Sequence, residues 1–241
     1  MPVRRPARRP ARAAAVGLAG VLLAGLLPAC AAAPAGPDPG YRLPWPGGER
    51  ATVLQGQHVV DGLGACTSGC GSHQDEDSWH AWDFDLPEGT PVLAARAGTV
   101  GLVVGSWGAD HCGGPSPVTD RPRGYTIDPT IGNQANLVRI DHGDGTSALY
   151  LHLSAVDPAV EAKARSGGTV ARGELLGRSG RTGLTGCRPH LHFQVERTTP
   201  ADWYTESLPI GFGDPDVLAR TGDGVPLEGA GYVSGNGPAT S

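Results

Sequence analysis

The sequence predicts a mostly β protein, an antiparallel β-sheet sandwich with an open groove and few short helices. Three observations carry that reading. Gly 38 and Pro 22 of 241 residues punctuate short apolar runs instead of forming one low-complexity tract. Aromatic residues are 5% and charged residues 18%, too few charged helix formers for a coiled coil or long helical bundle. Asp144-Gly145, flanked by strand-like runs over 136–140 and 147–153, is a strong hairpin signal.

Taken from the N-terminus, Arg4, Arg5, Arg8, Arg9 and Arg12 precede an apolar stretch from Ala13 to Ala29, closed by Leu27-Pro28-Ala29-Cys30. This is the pattern of an export signal over residues 1–30, and the stretch is shorter than the about 20 strongly apolar residues a bilayer span needs. Its end is similar to the lipobox of bacterial lipoproteins, with Pro28 an unusual middle residue, so Cys30 is the candidate lipid attachment site and membrane anchor. Residues 31–48, opening Ala-Ala-Ala-Pro-Ala-Gly-Pro-Asp-Pro-Gly, read as a flexible tether, because so little apolar surface does not offset the entropy of ordering. Residues 49–236 form one domain, and 237–241 a tail. Beyond residue 30 the chain carries 14 Lys and Arg against 24 Asp and Glu. An acidic body argues against a nucleic-acid partner.

Four cysteines remain after Cys30: Cys66, Cys70, Cys112 and Cys187. An even number in an exported chain reads as two disulfides, with three pairings open. Cys66 with Cys70 and Cys112 with Cys187 is the simplest, since Thr67-Ser68-Gly69 closes a small loop. A four-cysteine zinc site would need a second closely spaced pair, which the sequence lacks.

Within the body, Thr90 to Val104 holds two apolar runs broken at Gly98. Only Asp157 to Arg165 reads as helical, with Pro158 suited to the first turn. The Gly-, Pro- and Asp-rich stretch from Ser106 to Gln134 is too long for an ordinary connection and reads as a rim loop or a mobile segment, stapled by Cys112.

The chemistry concentrates in Arg188-Pro189-His190-Leu191-His192-Phe193-Gln194-Val195. In a strand, His190, His192 and Gln194 share one face while Leu191, Phe193 and Val195 face the core. Two imidazoles rooted about 6.5–7 Å apart suit one metal ligand beside one general base. By the same logic the strand ending Tyr150-Leu151-His152-Leu153 buries its leucines and offers His152. His73, His80 and Asp83 lie upstream. Histidines with a carboxylate suit zinc, which in catalytic sites takes three protein ligands and leaves one position for water.

Asp83 with Pro87-Glu88-Gly89-Thr90-Pro91-Val92, then Tyr150-Leu151-His152-Leu153, Gly177-Arg178-Ser179-Gly180-Arg181-Thr182-Gly183 and Pro189-His190-Leu191-His192-Phe193 together resemble the lysostaphin-type zinc endopeptidases that cut peptidoglycan. The resemblance spans roughly Tyr41 to Phe212. It implies Asp83 and His192 as zinc ligands, His190 as general base and His152 as an assisting histidine. The family's first histidine ligand stands four residues before the aspartate, where this chain has Trp79. His80, one residue later, would reach the metal only through a bulge or turn. Ser72-His73 instead resembles a variant with a longer loop, and His73 is the preferred ligand of the two.

The expected function is therefore zinc-dependent hydrolysis of peptidoglycan peptides. A non-catalytic relative that regulates another cell-wall hydrolase is the alternative. A carbohydrate-binding sandwich using Trp79, Trp82 and Trp107 leaves His152, His190 and His192 unexplained. Among the other residues, His58, His111 and His142 read as solvated and Asp85 as a hydrogen-bonding group at a strand edge. Gly180 and Gly183 read as turn glycines with positive φ.

Overall fold

The computed structural model describes residues 40–74, 77–113, 134–199 and 202–237. The export signal, Cys30, residues 31–39 of the tether, residues 114–133 of the long stretch and the last four residues of the tail lie outside them.

Strand alternation builds the main sheet. Its eight antiparallel strands run in spatial order β11 (Thr169–Val170), β6 (Gly98–Val104), β8 (Leu137–Asp141), β9 (Thr146–Leu151), β14 (Leu191–Arg197), β4 (Trp82–Phe84), β1 (Arg50–Gln55) and β15 (Gly231–Val233). A second antiparallel sheet orders β10 (Leu153–Val156), β12 (Leu175–Ser179) and β5 (Pro91–Leu93). Two small ribbons pair β2 (Val59–Val60) with β3 (Cys66–Ser68), and β7 (Cys112–Gly113) in parallel with β13 (Gly183–Leu184). The expected hairpin is β8–β9, in register from Leu137↔Leu151 to Asp141↔Ser147. Gly143 and Gly145 take the positive φ values its turn needs, 77° and 88°.

The core lies between the two sheets. Trp82 and Phe84 of β4, Ala148 and Tyr150 of β9, and Leu191, Phe193 and Val195 of β14 meet Leu153, Val156, Leu176 and Val92 of the smaller sheet. Each large apolar side chain buried there contributes about 1.5–3 kcal/mol. The opposite face of the main sheet carries a smaller patch of Ala135, Leu137, Leu149 and Leu151, packed by Trp203 and Tyr204.

Two expectations change. The tether does not extend to residue 48, because Tyr41, Leu43 and Trp45 are buried in the core at period two. Arg42 N–H donates to the Ala95 carbonyl and Leu93 N–H to that of Pro44, so this segment is held by backbone as well as packing. The second change is an additional helix. Helix α1 (Pro158–Ser166) forms as expected, with Asp157 accepting from Ala159 N–H and Gly167 closing it at φ 66°. Helix α2 (Pro215–Thr221) was not foreseen. Asp214 at its start accepts instead from Leu43 N–H at 2.8 Å and Gly235 N–H at 2.6 Å, tying both ends of the domain to the helix.

Candidate metal centre

Strands β4 and β14 set two site residues opposite one another. With Trp82 and Phe84 in the core, Asp83 must face the other side, and the register pairs it with His192. His192 Nδ1 lies 2.9 Å from Asp83 Oδ1.

His73 reaches the same oxygen from the loop after β3, its Nε2 3.3 Å from Asp83 Oδ1. The backbone there is left-handed, with φ 40° at His73. That loop is clamped three ways. Cys66–Cys70 closes it, the Ser72 hydroxyl donates to Glu228, and the Ser72 carbonyl accepts from the His58 ring. Gly69, at φ 68°, passes so near the Gln57 carbonyl that a Cβ would stand 2.3 Å from its oxygen. Among the described residues, the ligand atoms of His73, Asp83 and His192 all lie within 4.8 Å of one another. His80 is not in this group: its backbone N–H donates to Ser207 Oγ at 2.9 Å.

His190 and His152 complete the cluster by different routes. His190 bridges to Gly180 just before β14, on the His192 face. Gly183 has the expected positive φ of 84°, whereas Gly180 is required for space, since a Cβ would meet Ser154 N at 2.3 Å. The alternation expected to bury the leucines and offer His152 runs the other way. Tyr150 is in the core and Leu149 and Leu151 face the opposite side, so a regular strand would send His152 into the core. The strand expected to continue to Leu153 instead breaks at His152, whose φ of 68° swings the ring outward between β9 and β10. Its ring centroid then lies 4.7 Å from that of His190 and 5.9 Å from that of His192.

All five residues are buried. Burial pushes the Asp83 carboxyl upward, but His73 and His190 as charges, with hydrogen bonds from His192 and His73, outweigh it and hold the group well below its ordinary range. Burial, with the neighbouring His190 and His192, holds the His152 imidazole well below its ordinary value, and burial likewise lowers His190. Both rings are therefore neutral at neutral pH. Each donates from Nδ1 to a carbonyl, His152 to Thr182 at 2.8 Å and His190 to Arg188 at 2.9 Å, leaving both Nε2 atoms as proton acceptors. The Thr182 carbonyl was not among the expected site groups, and a backbone group carries no signal in the sequence.

The donor set fits a cation. The His192 Nδ1 and the Asp83 carboxylate face each other with His73 Nε2 alongside, and two imidazoles with one carboxylate suit zinc.

The other expected residues fall outside the centre. Asp85 is exposed and pairs with Arg188, Nη2 to Oδ1 3.5 Å. Trp82 is buried and donates to the Pro226 carbonyl, and Trp79 packs edge-on against His58. His111 and His142 are half-buried instead of solvated, one stacked on Trp107 and the other donating to the Ala97 carbonyl.

Further along the His192 face, burial raises the Glu196 carboxyl from 4.5 to about 7, against hydrogen bonds from Thr205 N–H and the Gln194 amide. The folded state then holds this proton more tightly than the unfolded chain. The resulting penalty is absent below pH 4.5 and develops as pH rises through about 7, reaching about 3 kcal/mol at about 1.4 kcal/mol per pH unit. Glu196→Gln is accordingly expected to stabilise the protein at pH 8 and to have little effect at pH 4.5. Urea unfolding at both pH values measures this, and an equal change at both would disprove it.

Two imidazoles and a carboxylate converging on one point, with two neutral imidazoles beside them, are the donor set of a mononuclear metal site. The chain belongs to peptidase family M23, whose model matches residues 77–203. That span holds Asp83, His152, His190 and His192, and His73 lies just before it. The chain is 31% identical over 122 residues to the DD-carboxypeptidase/endopeptidase Mpg of Neisseria meningitidis, covering 48% of this chain and 21% of that protein. It is 32% identical over 112 residues to an uncharacterized metalloprotease of Haemophilus influenzae, covering 46% and 17%. The match thus spans about a fifth of the length of these curated relatives. Similar solved structures include the catalytic domain of the prophage-encoded M23 protein EnpA from Enterococcus faecalis, at 21% identity, TM-score 0.40, and 66% and 88% coverage of the two chains. Another is lysostaphin from Staphylococcus simulans, at 24% identity, TM-score 0.36, and 63% and 50% coverage.

Proposed function

We propose that this protein is a zinc-dependent endopeptidase that hydrolyses peptide bonds in bacterial cell-wall peptidoglycan. The observation that carries the proposal is the convergence of His73, Asp83 and His192 within 4.8 Å, with His152 and His190 alongside. The name of the Neisseria relative, a DD-carboxypeptidase/endopeptidase, supports peptide-bond hydrolysis.

His73, Asp83 and His192 would hold the zinc, which when bound would supply Lewis acidity toward a peptide carbonyl and toward water. His190, neutral and with Nε2 unprotonated, accepts the proton of the attacking water. His152 presents the same unprotonated atom, so it passes a proton to the leaving amine only after taking one up, the proton that His190 has accepted from the water being the available one. It stabilises an oxyanion only after it has itself been protonated. The export signal over 1–30 and lipidation at Cys30 would place this activity in the cell envelope.

The test is metal analysis and muropeptide digestion on the purified protein and on His73→Ala and His80→Ala. One zinc per chain is expected in the wild type and in His80→Ala, with zinc and hydrolysis both lost in His73→Ala. Zinc retained in His73→Ala but lost in His80→Ala would move the first ligand to His80. A wild type that binds no zinc would end the proposal.

A further inference from the structure

His192 has a hydrogen-bond partner on the side of the ring away from Asp83. Its Nε2 lies 3.1 Å from Gln194 Oε1, and both residues are buried. The other end of that amide faces two acceptors, Glu196 Oε2 at 3.1 Å and the Thr205 carbonyl at 3.5 Å. Only an NH₂ group satisfies two acceptors, so the amide is fixed with its oxygen toward His192. Glu196 Oε2 is itself held by Thr205 N–H at 3.1 Å. An acceptor opposite Nε2 requires a ring proton there. Nδ1, 2.9 Å from Asp83 Oδ1, donates to that carboxylate when no cation stands between them, and its lone pair is what a cation held there would take. Residues 192, 194 and 196 share one face of β14 through the two-residue repeat, so the strand itself builds this chain of contacts behind the ligand. His73 differs: its Nδ1 is buried with no hydrogen-bond partner among the described residues.

We propose, on the zinc assignment given above, that Gln194 is a positioning residue: oriented by Glu196, it fixes the His192 ring with Nε2 protonated and Nδ1 directed at the metal. Groups placed behind a metal-ligating histidine set its tautomer and ring orientation, and their loss typically weakens metal binding by about 10–100-fold.

The experiment measures zinc affinity by competition with a chromophoric chelator, with circular dichroism confirming the fold. It uses the wild type, Gln194→Leu, and the exchange variant Gln194→Glu with Glu196→Gln. Gln194→Leu removes the acceptor and is expected to bind zinc about 10–100-fold more weakly. The exchange variant keeps an oxygen opposite His192 and an amide beside it, and is expected to bind near wild-type strength. In the zinc-loaded wild type, ¹H–¹⁵N spectra are expected to show a protected His192 Nε2–H resonance, lost in Gln194→Leu. Equal zinc affinity in wild type and Gln194→Leu would overturn this inference alone, whereas a wild type that binds no zinc would overturn the proposed function with it. Should Gln194→Leu fail to fold, the exchange variant decides: retained affinity upholds the positioning role, and lost affinity refutes it.

Discussion

Replacing His190 with Ala is expected to slow peptide hydrolysis by about 10²–10⁴-fold, the usual contribution of a positioned general base, while leaving zinc bound. The geometry separates the two roles. His190 Nε2 stands 3.8 Å from Asp83 Oδ2, and the residue is outside the group whose ligand atoms lie within 4.8 Å of one another. Its Nδ1 is committed to the Arg188 carbonyl, so the ring offers one free lone pair, and burial keeps it neutral to use it. His192→Ala, by contrast, removes a ligand and is expected to abolish zinc binding and hydrolysis together. Single-turnover cleavage of purified muropeptides, with zinc content measured on the same samples, distinguishes the two variants. Loss of zinc in His190→Ala would make His190 a ligand, and undiminished cleavage would remove it from the chemistry.

What was legible in the sequence was whatever a two-residue period or a local turn encodes. The β8–β9 hairpin followed from Asp144-Gly145, and the shared face of His190 and His192 from alternation with Leu191 and Phe193. Asp83 came from the resemblance, and its place between two core aromatics agrees with the same alternation. Residues placed by backbone that leaves the strand were less legible. His152 is at the site only because φ 68° reverses its alternation, and His73 only because a disulfide-closed loop turns left-handed at φ 40°. Non-glycine residues in that region carry no reliable local signature. The core role of Tyr41, Leu43 and Trp45 was hidden by the prolines between and beside them, although their spacing is that of a strand. Helix α2 was legible in principle, since Asp214-Pro215 with Gly222 repeats the Asp157-Pro158 with Gly167 that marks α1. Its short length gave the apolar pattern too few turns to show.

The two disulfides are expected to separate stability from metal binding. Cys112–Cys187 links residues 75 apart, and closing so long a loop restricts the unfolded chain by about 4 kcal/mol, against about 2 kcal/mol for Cys66–Cys70 with its separation of 4. Replacing Cys112 and Cys187 by Ser is therefore expected to lower Tm by roughly 8–16 °C, at about 2–4 °C per kcal/mol for a domain of this size. The same bond anchors the parallel pairing of β7 with β13, the ribbon that follows the Thr182 carbonyl under His152 and precedes His190. Its removal should thus slow hydrolysis with little change in zinc affinity, since His152 and His190 are outside the ligand set. Cys66–Cys70 acts on the other half of the site. It closes the loop that carries His73 three residues later, so replacing it by Ser should cost little in Tm and more in zinc affinity. Calorimetry and chelator competition on the two double variants give both quantities. A larger loss of Tm from the short loop than from the long one, or zinc affinity that follows Cys112–Cys187 instead of Cys66–Cys70, would contradict this division.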